Sequence, residues 1–275
     1  MGLTGPATAA NCTRVSRLRL AIATAALAST LAIGGCIDKP TEHRVRANAY
    51  LRAGEADKAL EEIEAGLKID AKDAALLIMK GKALFELSRY DESKLAYQSA
   101  IDSGVEKGSV GEAHLGLAMI AMRKDDYTGA REHFATLVEL NGKDADARIN
   151  LARVCLQLKD MDCAVKHGEE AGHLRGSSED VLFTLGRIYV TAKKYDEAEK
   201  TFSHICEVVP GASSCPYGVA LVAAQRGDKD KALAKLEEAI GKKLPAPDKL
   251  ADDPLLAPLK GDEKFEKLAR KAAGG

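Results

Sequence analysis

Six cysteines have the widest chemistry open to them in this 275-residue chain: Cys12, Cys36, Cys155, Cys163, Cys206 and Cys215. A thiol can bind a metal, attack a carbonyl, pair with another thiol or carry a lipid. Zinc clusters need ligand gaps of about two to four residues, and no pair here has that spacing. His167 and His173 are six apart, on different faces of a helix. His43, His114, His133 and His204 are scattered, and are expected mostly as surface or edge residues. No Gly-rich phosphate loop, nucleophile elbow or His-Glu-x-x-His motif occurs in the sequence. Carboxylates abound, but they run beside lysines, as in Asp196-Glu197-Ala198-Glu199-Lys200. That pattern marks a solvated, charge-paired helix face. No catalytic residue, metal or cofactor is expected.

Composition narrows the scaffold. Hydrophobic residues make up 46%, enough for a large core, whereas aromatics reach only 4% and Trp is absent. An Ala- and Leu-rich chain with abundant Lys and Glu favours helices that pack through small side chains. The formal net charge of −1 offers no clustered basic face for nucleic acid.

The N-terminus reads as an address. Arg14, Arg17 and Arg19 form a positive region, and Leu20 to Ile33 is apolar apart from Thr24, Ser29 and Thr30. That run is shorter than the roughly 20 residues of a membrane span and fits a secretory signal. It ends in Leu31-Ala32-Ile33-Gly34-Gly35-Cys36, which resembles the lipobox of bacterial lipoproteins. The resemblance implies residues 1–35 as signal peptide, cleavage before Cys36, and lipid on that cysteine. Residues 36–39 become a short tether. Ile37 follows the cysteine and Asp38 comes one position later, so the periplasmic face of the outer membrane is the expected location.

A 34-residue period organises the remainder. One column reads Ala59, Ser93, Ala130, Ala164, Ala198, Ala232; a second, twelve residues upstream, reads Ala47, Gly81, Ala118, Ala152, Gly186, Ala220. Every member is small. Four residues after the first column come Ile63, Tyr97, Phe134, Gly168, Phe202 and Leu236. This resembles the tetratricopeptide repeat family, most closely in Leu185-Gly186, Tyr189, Lys193-Lys194-Tyr195-Asp196-Glu197-Ala198, Phe202 and Pro210. The family's first-helix Trp is missing, and Gly168 stands where a large residue is usual. The resemblance implies an all-α chain, a right-handed α-solenoid of six helix pairs over residues 40–246. The repeats are placed at 40–73, 74–107, 111–144, 145–178, 179–212 and 213–246, with Gly108-Ser109-Val110 inserted. Residues 247–275 are expected to cap the stack, with Leu255, Leu256, Leu259, Phe265 and Leu268 covering its apolar end.

In this family, repeat positions 5, 9 and 12 of the first helix usually line a concave protein-binding groove. Carried over, they are Ile78, Lys82 and Phe85; Leu115, Met119 and Met122; Ile149, Arg153 and Leu156; Phe183, Arg187 and Val190; and Tyr217, Leu221 and Ala224. Repeat 1 is more polar, with Arg44, Asn48 and Leu51. An apolar groove with a few cations suggests a peptide carrying some negative charge. The register also selects among the three pairings open to the four remaining cysteines. Cys155 and Cys163 flank one tight helical turn and Cys206 and Cys215 another, so disulfides 155–163 and 206–215 are expected in an oxidising compartment.

The plan of lipobox, six repeats, short tether and short cap resembles the pilotins of type IV pili. It implies a scaffold for a secretin subunit or another outer-membrane assembly client, and a role in pilus biogenesis and motility. A lipoprotein of the β-barrel assembly machinery and a cell-wall synthesis adaptor are the alternatives.

Overall fold

The structure, a computed structural model, describes residues 39–104 and 107–274. The signal segment, Cys12, Cys36, Ile37 and Asp38 lie outside the described residues. Helices follow one another as antiparallel pairs: α1 (Lys39–Arg52) with α2 (Ala56–Leu67), α3 (Ala74–Glu86) with α4 (Tyr90–Asp102), and α5 (Lys107–Arg123) with α6 (Tyr127–Leu140). Then come α7 (Ala145–Gln157) with α8 (Met161–Leu174), α9 (Glu179–Thr191) with α10 (Tyr195–Val208), and α11 (Ser214–Arg226) with α12 (Lys229–Gly241). The 3-10 segments Pro247–Asp252 and Pro254–Leu259 and the helix α13 (Glu263–Ala273) complete the chain. Each helix packs on the next, and the first helices of neighbouring pairs also touch, as in α3 with α5 and α9 with α11. That is the nearest-neighbour order of an α-solenoid. The inserted Gly108-Ser109-Val110 does not loop out; it lengthens α5 at its N-terminus.

The small columns explain the close pairing. Ala47, Ala59, Ser93, Ala118, Ala130, Ala152, Ala164, Ala198, Ala220 and Ala232 are fully buried. Ser93 is satisfied there, its Oγ donating to the carbonyl of Gly81 at 2.7 Å. The large column fills the space towards the next repeat. Tyr97 lies between Gly81 and Gly116, and Phe202 between Gly186 and Gly218, so close that a methyl on any of these glycines would strike the ring. Where Gly168 replaces the large residue, Leu185 and Ile188 close in from α9.

The turn inside every pair is built alike. Position 15 of each repeat has positive φ: Gly54 (73°), Ser88 (61°), Asp125 (56°), Lys159 (61°), Lys193 (58°) and Gly227 (83°). Four of the six are not glycine, although this region costs an L-residue about 1 kcal/mol. Asp126, Asp160 and Asp228 then cap the second helices, accepting from Gly129, Cys163 and Lys231 N–H. Disulfides close two hairpins: Cys155 to Cys163, with Cα atoms 5.8 Å apart, and Cys206 to Cys215, at 5.5 Å.

Asp253 caps the segment beginning at Pro254, as Asp262 caps α13. Leu250, Leu256, Leu259 and Phe265 are buried against Leu221, Leu236 and Ala239, with Leu255 and Leu268 partly buried around them. Burying each large apolar side chain is worth about 2 kcal/mol, which holds the cap firmly on the last repeat.

Candidate functional site: the first-helix groove

The first helices carry the groove positions, and burial sorts them. Leu115 and Met119 are the most open of the apolar set, at 45% and 41% exposed. Phe85, Met122, Leu156, Phe183 and Tyr217 are half-buried, as are Asn48 and Leu51 in repeat 1. Phe85 meets the edge of Tyr90, with ring centroids 5.4 Å apart. Phe183 stacks on Tyr217 at 5.9 Å and also meets Phe202.

Five expected groove residues are instead core. Ile78, Ile149, Val190, Leu221 and Ala224 are all buried. A first helix packs against its own second helix and against helices of the adjacent repeats, so its apolar stripe is wider than the inner face alone. Ile78 packs with Tyr97 and Leu117, and Ile149 with Ala171 and Val181. Val190 sits with Phe202 and Val222, while Leu221 and Ala224 lie beneath Leu250, Leu256 and Phe265 of the cap.

The cations of the groove are not left for a ligand. Arg44 Nε donates to Asp73 at 2.7 Å and Lys82 Nζ to Glu112 at 2.7 Å. Arg153 reaches Asp180 at 2.6 Å and the hydroxyl of Thr184 at 2.9 Å. Each pair ties one first helix to the next first helix or to the residue that caps it. Arg187 has Ser214 at the corresponding place in repeat 6, and Ser214 donates to Glu179 instead. Asp253 of the cap supplies the missing acid, 2.6 Å from Arg187 Nη1 and 2.6 Å from the hydroxyl of Tyr217. Burial pushes the Asp253 carboxyl up, but the Arg187 guanidinium and the Tyr217 hydroxyl outweigh it and hold it below the usual carboxylate range. Burial, followed by the charge of Asp253, pushes the Tyr217 hydroxyl up. The cap therefore neutralises the groove cation of repeat 5, and the expectation of a groove that attracts negative charge gives way to one with balanced charge.

One rung differs. At repeat 3 the cation is replaced by Met119, and Asp146 of repeat 4 turns to Arg175. Here α5 and α7 make almost no direct contact, unlike the other neighbouring first helices. A cavity of about 470 Å³ opens between them, lined by Leu115, Leu137, Leu140, Glu112, Asp144 and Asp146 among others.

The histidines are less scattered than their spacing suggested. His114 and His133 face each other with Nδ1 atoms 3.2 Å apart. His43 meets Glu62 at 2.7 Å. Among the described residues no group of three or more His, Cys, Asp or Glu could hold a metal ion, and no helix is long and apolar enough to cross a membrane.

Paired helices of one design, stacked through nearest neighbours and lined by an inner face, define a repeat scaffold for protein–protein contact. The tetratricopeptide repeat family model matches residues 44–105, 78–145, 115–178 and 183–247, and the chain belongs to that family. Solved structures agree at the level of fold. A tetratricopeptide repeat protein from Parabacteroides merdae superimposes with a TM-score of 0.65 at 16% identity, covering 86% of this chain and 99% of that one. Pseudomonas aeruginosa pilF gives 0.61 at 14% identity, over 85% and 97%. YrrB, described as a TPR protein with an unusual peptide-binding site, gives 0.56 at 20% identity, over 71% and 95%. No curated protein matches the chain in sequence.

Proposed function

We propose that this chain is an outer-membrane lipoprotein, anchored through Cys36 on the periplasmic face, that holds a segment of a client protein during assembly. The client that best fits is a secretin subunit of a type IV pilus, which makes the chain a pilotin. The observation that carries the scaffold reading is the open apolar stretch of the groove at Leu115 and Met119, left uncovered in the middle of the stack. Exposed apolar surface of this kind marks partner sites. The lipobox and the short tether put the first repeat against the membrane, because three or four extended residues span only about 10–14 Å. The plan of lipobox, six repeats and short cap supports the pilotin reading, and the fold likeness to pilF is in keeping with it.

The test is a deletion strain blotted for the heat-stable secretin multimer, with Cys36→Ala and Met119→Glu strains alongside. Loss of the multimer in the deletion, and its decrease or misplacement in both variants, is expected. An unchanged multimer in the deletion ends the pilotin reading. Porin loss in its place would indicate a β-barrel assembly factor, and altered cell shape a cell-wall adaptor.

A further inference from the structure

The C-terminal helix α13 turns two different faces to its surroundings. Phe265 and Ala272 are buried in the apolar cluster of the cap, with Ala269 buried and Leu268 partly buried beside them. Lys264, Lys267 and Lys271 are exposed on the other side. Residues three and four apart share a helix face, so these three form one row about 10 Å long. Arg270 and Lys260, the latter ending the preceding 3-10 segment, are exposed as well. None of these five cations has a carboxylate partner among the described residues. By contrast, Lys231, Lys235 and Lys242, on or next to α12, are each held by a carboxylate. The acids of α13 and its cap do not neutralise the row. Asp262 caps the helix, Glu266 accepts from Gly261 N–H at 3.5 Å, and Glu263 makes no ion pair although it stands one turn from Lys267. Helix electrostatics account for Arg270 and Lys271 in the last turn. They count against Lys264, which follows the N-cap by two positions, where the positive end of the helix dipole disfavours a cation.

We propose that the lysine row of α13 is a docking surface for an acidic segment of a partner protein, with carboxylates about one helical turn apart. Charge complementarity selects an acidic partner, because these cations are exposed and unpaired. A lipid surface fits less well. A basic helix that lies on a membrane needs a free apolar face, and that of α13 is taken up by the cap. A long polyanion such as nucleic acid also fits less well. It needs a continuous basic track, whereas this row is about 10 Å long and adjoins the 3-10 segment Pro247–Asp252, which exposes Asp248 and Asp252. The row lies outside the first-helix groove and gives the scaffold a second contact independent of it.

The test uses the purified chain and three fluorescein-labelled peptides of one helical design, whose outward row carries glutamate, glutamine or lysine. Fluorescence anisotropy at low and high salt gives their affinities. The glutamate peptide is expected to bind about ten-fold more tightly than the glutamine peptide at low salt, with the preference shrinking as salt rises. In a Lys264→Gln, Lys267→Gln, Lys271→Gln triple variant the preference should fall to near unity while helicity by circular dichroism is unchanged. Lys264→Gln alone should weaken the glutamate peptide about two-fold and leave the melting temperature unchanged or higher, which separates binding from folding. Equal binding of the glutamate and glutamine peptides, a preference that survives the triple variant, or no binding of any peptide overturns the surface. So does a lower melting temperature in Lys264→Gln, which would show that the lysine serves the fold. Binding of phosphatidylglycerol vesicles or of a DNA oligonucleotide that the triple variant abolishes and the glutamate peptide cannot displace overturns the acidic segment in favour of that ligand.

Discussion

Asp253 and Arg187 meet across 66 residues of sequence, with the carboxylate 2.6 Å from one guanidinium nitrogen and 3.3 Å from the other. The contact ties the C-terminal cap to repeat 5, passing over repeat 6, and fills the place where repeat 6 has Ser214. It removes the one groove cation of repeat 5 from reach of a ligand.

Replacing Asp253 by Asn should therefore destabilise more than loss of a surface pair. Arg187 is largely buried and would lose its charged partner, and Tyr217 would lose a charged acceptor. A loss of about 2 kcal/mol is expected in denaturant unfolding, on the scale of hydrogen bonds to charged groups. The double change Arg187→Met, Asp253→Asn, which strands neither charge, should cost less than either single change. A neutral Asp253→Asn would show that the cap is held by its apolar contacts alone.

Lys193→Gly should stabilise the protein. Lys193 has φ of 58°, a region in which glycine has no steric penalty. The gain of about 1 kcal/mol is offset in part by the greater freedom of glycine in the unfolded chain. The expected net is about 0.5 kcal/mol, read as a higher melting temperature. A lower one would mean that the lysine side chain contributes more than its backbone strain takes away.

Gly186→Ala should have the opposite sign. Its methyl would run into the ring of Phe202, which is fully buried with Gly218 on its other side. Overpacking of this kind costs about 1–3 kcal/mol. Combining it with Phe202→Leu should recover part of the loss, and strict additivity of the two changes in a double-mutant cycle would contradict the close contact.

Reduction should weaken the chain at two defined hairpins. Each disulfide closes a short loop, and each should contribute about 2–3 kcal/mol by chain entropy. Peptide mapping without reductant should recover Cys155 with Cys163 and Cys206 with Cys215. Four free thiols in protein isolated without reductant would remove the prediction.

Stability should fall as the medium becomes acidic, beginning near pH 6.5. Burial lowers the affinity of His114 and His133 for protons, and for His133 the neighbouring His114 adds to the effect. Burial lowers His167 likewise. Below the ordinary histidine value of 6.5 the unfolded chain takes up protons that the folded chain resists. The stabilisation is thus complete above that pH and is lost as pH falls. Asp253, whose proton affinity is also lowered, enters only at lower pH, below the ordinary 3.8. His133→Gln should flatten the slope of melting temperature against pH between 7 and 5.5 without abolishing it, since His167 remains. An unaltered slope would count against the pair.

The repeat itself was legible because solenoid packing is local. Ala59 and its counterparts must be small wherever a helix pair closes, and the requirement recurs at each repeat, so the sequence displays it as a period. The two disulfides follow from the same register, each spanning one turn. The positive-φ residue at position 15 was equally periodic but hidden, because Ser88, Asp125, Lys159 and Lys193 do not advertise that conformation as glycine would. The acids Glu112, Asp146 and Asp180 stand at matching positions of successive repeats, but their partners are set by the stacking of the first helices.

The sequence by itself determined the family, the helix pairs, the capping leucines and the side of each helix that faces its own partner helix, since all of these depend on residues close along the chain or on the period. Only the tertiary structure decided which inner-face positions are open. Ile78, Ile149, Val190 and Leu221 share repeat positions with exposed or half-buried residues such as Leu115 and Met119, yet they are core. The difference lies in how closely the next first helix approaches and where the cap runs. Those are long-range matters: the α5–α7 gap is set by relations between whole repeats, and the neutralisation of Arg187 by Asp253, far along the chain.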